Sequence, residues 1–377
     1  MTRKLRNGAL AVAVSAALVL CVGPLSVVDP NANGLNAVGL NALAMTSRAD
    51  AAPSSATMAS ITAAAESLET LKAKYRRPAA PVFPDSNPYS EAKADLGKHL
   101  FFDPRLSRTG NVSCASCHNP ALRWSDGLAR GIGVTATPLP RRSPSIINAA
   151  WLTALMWDGR AASLEQQAIM PMTAEHEMGT TLDEAAARIA AIPGYPEKFA
   201  GAFSGGGVTA EHIVAAIATY ERTLVSNQAP FDRWVSGDER AISEEAKRGF
   251  SLFNGAARCS KCHSSWRFTD DSFHDIGLKS TDIGRGQFAP PSVVIMQHAF
   301  KTPTLRDMSI VGPYMHDGSM TSIEQVLEHY EKGGITRPSL SPEMKSVKLT
   351  AQDRADLIAF LKTLSAPPTE IQIPVLP

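Results

Sequence analysis

Apolar residues recur at helical spacing in several stretches of this 377-residue chain, and strict apolar–polar alternation is scarce. Ser90, then Glu91 and an apolar stripe running to Phe101, predicts a helix capped at Ser90. Ser243, with Glu244 and Glu245, opens a similar pattern that runs to Phe253. A serine hydroxyl satisfies a free first-turn amide, and a first-turn carboxylate meets the positive end of the helix dipole. Thr181 to Ile192, Thr209 to Val225 and Thr350 to Leu364 carry the same spacing; in the last, Leu357, Ile358 and Leu361 share a face. The expected fold class is mostly α, with Pro- and Gly-rich loops between helices.

The pattern also repeats. Ser143 through Gln166 aligns without gaps on Thr302 through Gln325, at a constant offset of 159 residues. Pro144/Pro303, Met156/Met315, Asp158/Asp317, Gly159/Gly318, Ser163/Ser322, Glu165/Glu324 and Gln166/Gln325 are identical pairs. Register kept over so many positions indicates duplication.

The start of the chain reads differently. Arg3, Lys4 and Arg6 precede an apolar run from about Ala9 to Val22, which predicts a signal for export to the periplasm. Residues 1–45 are expected to be signal peptide and leader, and the weakly patterned 46–80 a disordered linker. The apolar run is shorter than the ~20 residues a membrane span needs, so no stable span is expected. Lys and Arg number 37 against 36 Asp and Glu, a net charge of +1 that gives no electrostatic reason to expect nucleic-acid binding.

Cysteine usage carries the chemistry. Of five cysteines, Cys21 lies in the leader, and the others fill Cys114-Ala115-Ser116-Cys117-His118 and Cys259-Ser260-Lys261-Cys262-His263. Two thiols that bond vinyl groups, followed at once by an imidazole, are what a c-type haem needs. Two covalently bound haem c groups are expected, with His118 and His263 as iron ligands. The chain then reads as two cytochrome c-like haem domains related by duplication.

Function turns on the opposite face of each iron. An iron with two strong protein ligands passes electrons but cannot bind peroxide; an iron with an open face can. The offset sets Tyr330 opposite Pro171, which has no side-chain donor. If position 330 supplies a distal ligand, the first half has lost it, and one haem is closed and one open. On residue type alone Met315, Met320, His316 and His329 remain credible ligands as well.

Together these residues resemble the bacterial di-haem cytochrome c peroxidase family and, within it, the MauG group. The resemblance spans about residues 86 to 365. It rests on both haem motifs, Trp157-Asp158-Gly159-Arg160-Ala161, Pro171, Glu177, Lys301 through Arg306 and Gly312 through Gly318. It implies that Trp157 relays electrons between the haems, and that Gln167, Pro171 and Glu177 line the open pocket with Glu177 as acid/base. It also implies Tyr330 as the second haem's distal ligand. A calcium ion between the haems would be held by Ser143, Val311 and Pro313, with serine where the family has asparagine.

Two departures bear on the branch. Typical peroxidases of the family carry a blocking histidine 16 residues after the first proximal histidine, where this chain has Val134. The MauG group carries a tryptophan two residues before the second motif, where this chain has Ala257, which argues against a methylamine dehydrogenase precursor as substrate.

The expected protein is a periplasmic MauG-like enzyme with an N-terminal peroxidatic haem domain at 81–235 and a C-terminal electron-transfer haem domain at 236–377. Hydrogen peroxide would oxidise an electron donor (a small cytochrome c or a cupredoxin) or a protein side chain through high-valent haem. The alternatives are a reductively activated peroxidase that detoxifies hydrogen peroxide, a di-haem electron carrier without peroxidase activity, and a peroxide-sensing or haem-storage protein.

Overall fold

A computed structural model of the chain describes residues 67–308 and 312–377. The expected signal and leader at 1–45 lie outside the described residues. The helices of the first half are α1 (Leu68–Ala73), α2 (Glu91–Phe102), α3 (Cys114–Cys117), α4 (Leu164–Thr173), α5 (Leu182–Ala190), α6 (Tyr195–Ala202), α7 (Ala210–Arg222) and α8 (Pro230–Val235). The second half contributes α9 (Glu244–Asn254), α10 (Ile323–Lys332) and α11 (Ala351–Lys362). Strand β1 (Phe273–His274) pairs antiparallel with β2 (Phe300–Lys301). The mostly helical expectation holds, and Ser90, Thr181, Thr209, Ser243 and Thr350 all cap helices with their side chains. Among the described residues no helix is long and apolar enough to cross a membrane.

The expected disordered linker at 46–80 is corrected at its end. Ser67 caps α1 by accepting from the Thr70 amide. Lys72 is bonded to Glu69 and Glu239 at 3.1 and 2.6 Å, and Tyr75 packs against Phe231, Phe250 and Phe268. Partners from far along the chain order this segment, and local pattern gives no sign of them.

Two large apolar clusters, with a smaller third around Leu155, Ala161 and Leu164, form the interior of the described residues. One gathers Leu96, Leu100, Phe101, Tyr195, Phe199, Ile213 and Ile217; the other gathers Phe231, Trp234, Phe250, Phe253, Phe268, Leu357 and Phe360. Each of these two is closed by a tight crossing at a glycine. A Cβ on Gly97 would lie 1.9 Å from the Ala216 carbonyl oxygen, and one on Gly249 would lie 2.0 Å from that of Asp356. Only the absence of a side chain lets α2 approach α7, and α9 approach α11, so closely.

The duplication is written into the backbone. α4 and α10 start and stop at positions 159 apart, with Ser163 and Ser322 as caps. Leu155 bridges Ala161, and Tyr314 bridges Met320. Met156 and Met315 both have left-handed φ (69° and 68°), as do Gly159 and Gly318 (68° and 67°). Gln166 accepts the Ala162 amide at 3.0 Å, and Gln325 accepts that of Thr321 at 2.7 Å.

Candidate active site: two haem frames and a shared cavity

Helix α3 is a single turn that sets Cys114, Cys117 and His118 close together, with Ser113 and Ser116 closing its N-terminus. His118 Nδ1 lies 3.1 Å from the Trp124 carbonyl oxygen. A carbonyl can only accept, so the proton sits on Nδ1 and the Nε2 lone pair is left for a metal. The second motif repeats this: Cys259 to Lys261 form a 3₁₀ turn, and His263 Nδ1 donates to the Phe268 carbonyl at 2.9 Å. Trp124 and Phe268, which supply these carbonyls, both hold left-handed φ (59° and 56°). Such strain in non-glycine residues persists only where the surroundings impose it.

Burial lowers the pKa of both histidines and keeps them neutral. It pushes the Cys117 thiol up to about 11 and the Cys259 thiol up to about 12. All four thiols are unpaired. Each half thus offers two thiols and one oriented, neutral imidazole, a donor set that fits haem c.

A cavity of about 880 Å³ adjoins the first motif and is bordered by His118, Trp157, Gln167, Pro171 and Glu177, so the structure brings the expected residues together. Pro171 sits inside α4, and its carbonyl accepts the Met178 amide at 3.1 Å. That bond folds the chain back and sets Glu177 at the cavity wall. Burial raises the Glu177 carboxyl above the usual range, with Arg160 pulling it down. Gln167 Nε2 lies 3.9 Å from the Met156 sulfur. The segment that holds Val134 packs on Glu177 from outside: the Val134 amide donates to the Glu177 carbonyl at 2.8 Å.

Trp157 is fixed at both ends. Its Nε1 donates to the Arg142 carbonyl at 2.8 Å, and its own carbonyl accepts from Lys301 of β2 at 2.8 Å. Its indole lies edge-on to His316, ring centres 6.4 Å apart, and His316 stacks on Phe300 at 3.6 Å.

At the second motif, burial and the Cys262 and Cys259 thiols push the Tyr330 phenol up. His329 is committed elsewhere, its Nε2 donating to the Ile276 carbonyl at 2.8 Å. His316 lines the first cavity. Sequence reading missed Asp270 and His274, which bond at 2.8 Å and gather around Cys262. With Cys262 consumed by a thioether, this trio is a polar flank of the haem rather than a metal site. No local motif marks it.

The calcium set is only partly visible. The Ser143 hydroxyl donates to Asp126 at 2.7 Å, and its carbonyl accepts from Ser125 at 2.8 Å. Val311 lies outside the described residues. Ala257 is buried in the second apolar cluster.

Residues 91–240 match the family model of the di-haem cytochrome c peroxidases, and residues 246–365 match that of cytochrome c. The methylamine utilization protein MauG of Methylorubrum extorquens is 58% identical over 317 residues, 84% of this chain and 90% of that protein. The chain belongs to the di-haem cytochrome c peroxidase family. Another relative, MauG of Methylophilus methylotrophus, is 52% identical over 81% of this chain and 92% of its own length. A solved MauG-like protein associated with microbial copper homeostasis shares the fold at a TM-score of 0.71 and 32% identity, over 78% of this chain and 94% of that one. As a di-haem peroxidase the chain carries two haem c groups, and hydrogen peroxide is the oxidant its family implies.

Proposed function

We propose that hydrogen peroxide reacts at the haem held by Cys114, Cys117 and His118, and that its oxidising equivalents reach the haem held by Cys259, Cys262 and His263 through Trp157. The observation that carries this is one pair of matched helix positions. Pro171 on α4 leaves the first site without a side-chain ligand, whereas Tyr330 on α10 offers the second site a half-buried phenol. When bound, haem would supply an iron that reacts with peroxide and exchanges electrons.

The chain's own groups do the rest. The Glu177 carboxylate accepts the proton from the near peroxide oxygen and returns it to the far one as the O–O bond breaks. The Gln167 amide, which lines the cavity, would orient the peroxide. Trp157 is held still by Arg142 and Lys301, so its ring keeps one geometry between the two halves. Burial favours the neutral phenol of Tyr330, the residue that would hold the iron of the second haem.

The two halves would meet near residue 235. The basic start and apolar run favour a periplasmic protein, with a small cytochrome c, a cupredoxin or a protein side chain as the electron source. Ser143 and Pro313, with Val311, would hold calcium. Val134 in place of a histidine favours a site open without prior reduction.

The deciding experiment adds peroxide to the fully oxidised protein and follows the haem spectrum. A direct change, with no reductant added, is expected. A ferric spectrum with two low-spin haems and no response to peroxide would sink the reading in favour of an electron carrier.

A further inference from the structure

The wall of the first cavity holds a carboxyl group that the chemistry above does not use. Glu221, one turn after Ile217 on α7, lines the cavity with 4% of its surface exposed. Its Oε2 is buried without a hydrogen-bond partner. The adjacent Arg222 does not pair with it, because its guanidinium is bonded to both Glu165 oxygens at 2.7 and 3.0 Å. An unpaired carboxylate in an apolar wall is costly, so the group favours keeping its proton. Burial pushes it up to about 8, with Arg222 lowering it and Glu165 raising it.

The second half shows that the fold does not demand this group. Gly97 faces Ala216 and Tyr220 on α7, and Gly249 faces Asp356 and Phe360 on α11. Those contacts align α7 with α11 and set Leu361 at the position of Glu221. Leu361 is buried in the second apolar cluster. The carboxyl therefore belongs to the peroxide-facing half alone.

The basic groups of α2 and α5 beside α7 are turned elsewhere. On α2, Lys93 bonds Asn87 and His99 bonds the Asp95 carbonyl. On α5, Arg188 bonds Thr180 and the Arg105 carbonyl. Glu165 is the titratable residue of α4, and Tyr220 precedes Glu221 on α7. From α3, Cys114 lies close enough to Glu221 for the two to interact, which places the carboxyl at the thioether side of the haem.

We propose that Glu221 couples proton binding to the oxidation state of the first haem. One electron gained there is matched by one proton bound to the Glu221 carboxylate, and one electron lost releases that proton. The coupling needs only the haem at Cys114–His118 and stands whether or not Glu177 moves a proton during peroxide cleavage.

The test is a spectroelectrochemical titration of both haems in the holoprotein, with an electrode and mediator dyes supplying electrons, from about pH 6 to about pH 10. One haem is expected to lose up to tenfold in its reduction equilibrium per pH unit, about 59 mV for one electron, over a window that includes pH 8. The potential falls as pH rises because the ionised carboxylate favours the oxidised haem. Glu221→Gln, and Glu221→Leu with the residue of the other half, should lose the window and keep both haems. A flat wild-type titration overturns the proposal even if a variant fails to take up haem. So does a window that survives in both variants; its loss in Glu177→Gln would then assign it to the distal carboxyl.

Discussion

Gly133 lies against the Glu177 main chain so closely that a Cβ there would sit 2.5 Å from the Glu177 carbonyl oxygen and 2.1 Å from that of His176. The neighbouring Val134 amide bonds the same Glu177 carbonyl. The loop that holds Val134 therefore acts as a brace for Glu177. Gly133→Ala should push Glu177 out of place and slow the reaction of the oxidised protein with peroxide by about 10²-fold. Stopped-flow mixing measures this, and an unchanged rate would show that the brace is unimportant.

Glu177→Gln keeps the shape and removes proton exchange, so the peroxide reaction should slow by about 10²- to 10⁴-fold with both haems attached. The wild-type rate should rise with pH through a value above the ordinary carboxylate range, because the group works as a base only when ionised and burial raises its pKa. In stability the sign is opposite. A raised carboxyl pKa stabilises the fold below the unfolded value, and that contribution is lost as pH rises through the folded one. The variant should therefore gain in melting temperature over its parent as pH rises.

Tyr330→Met replaces a phenol by a thioether on α10. The second haem should then show a methionine-type spectrum and a potential raised by the order of 0.1 V or more. An unchanged spectrum would point to Met315 or His316 as the ligand.

Gly97→Ala and Gly249→Ala each force a methyl group into a helix crossing with no room for it. Each should cost about 1–3 kcal/mol in denaturant unfolding. The two lie in separate clusters, so a double variant should lose nearly the sum.

What could be read in the sequence was what repeats or caps. The 159-residue offset placed Pro171 opposite Tyr330, and the two helices share their limits at that spacing. Ser90, Ser243 and Thr350 announced their helices because a cap is a local device. What could not be read depends on residues far apart. The Trp124 and Phe268 carbonyls that orient the histidines need left-handed backbone, which neither residue type suggests. Tyr75 is ordered by aromatic residues more than 150 positions away. Glu221 sits on an amphipathic helix where pattern alone would take it for a solvated charge. Only the packing shows that it is buried.

The clamp on Trp157 has a consequence for how such a chain can change. Its indole is held by Arg142 of the first half, and its main chain by Lys301 of the second. Arg285 reaches across to the Asp158 and Gly159 carbonyls, and Arg141 pairs with Asp282. The tryptophan is thus common property of both repeats, although only one encodes it. Once duplicated, the halves stopped being interchangeable modules: exchanging either one for a homologous half would disturb the clamp on Trp157 before it touched the haem-motif cysteines and histidines of either.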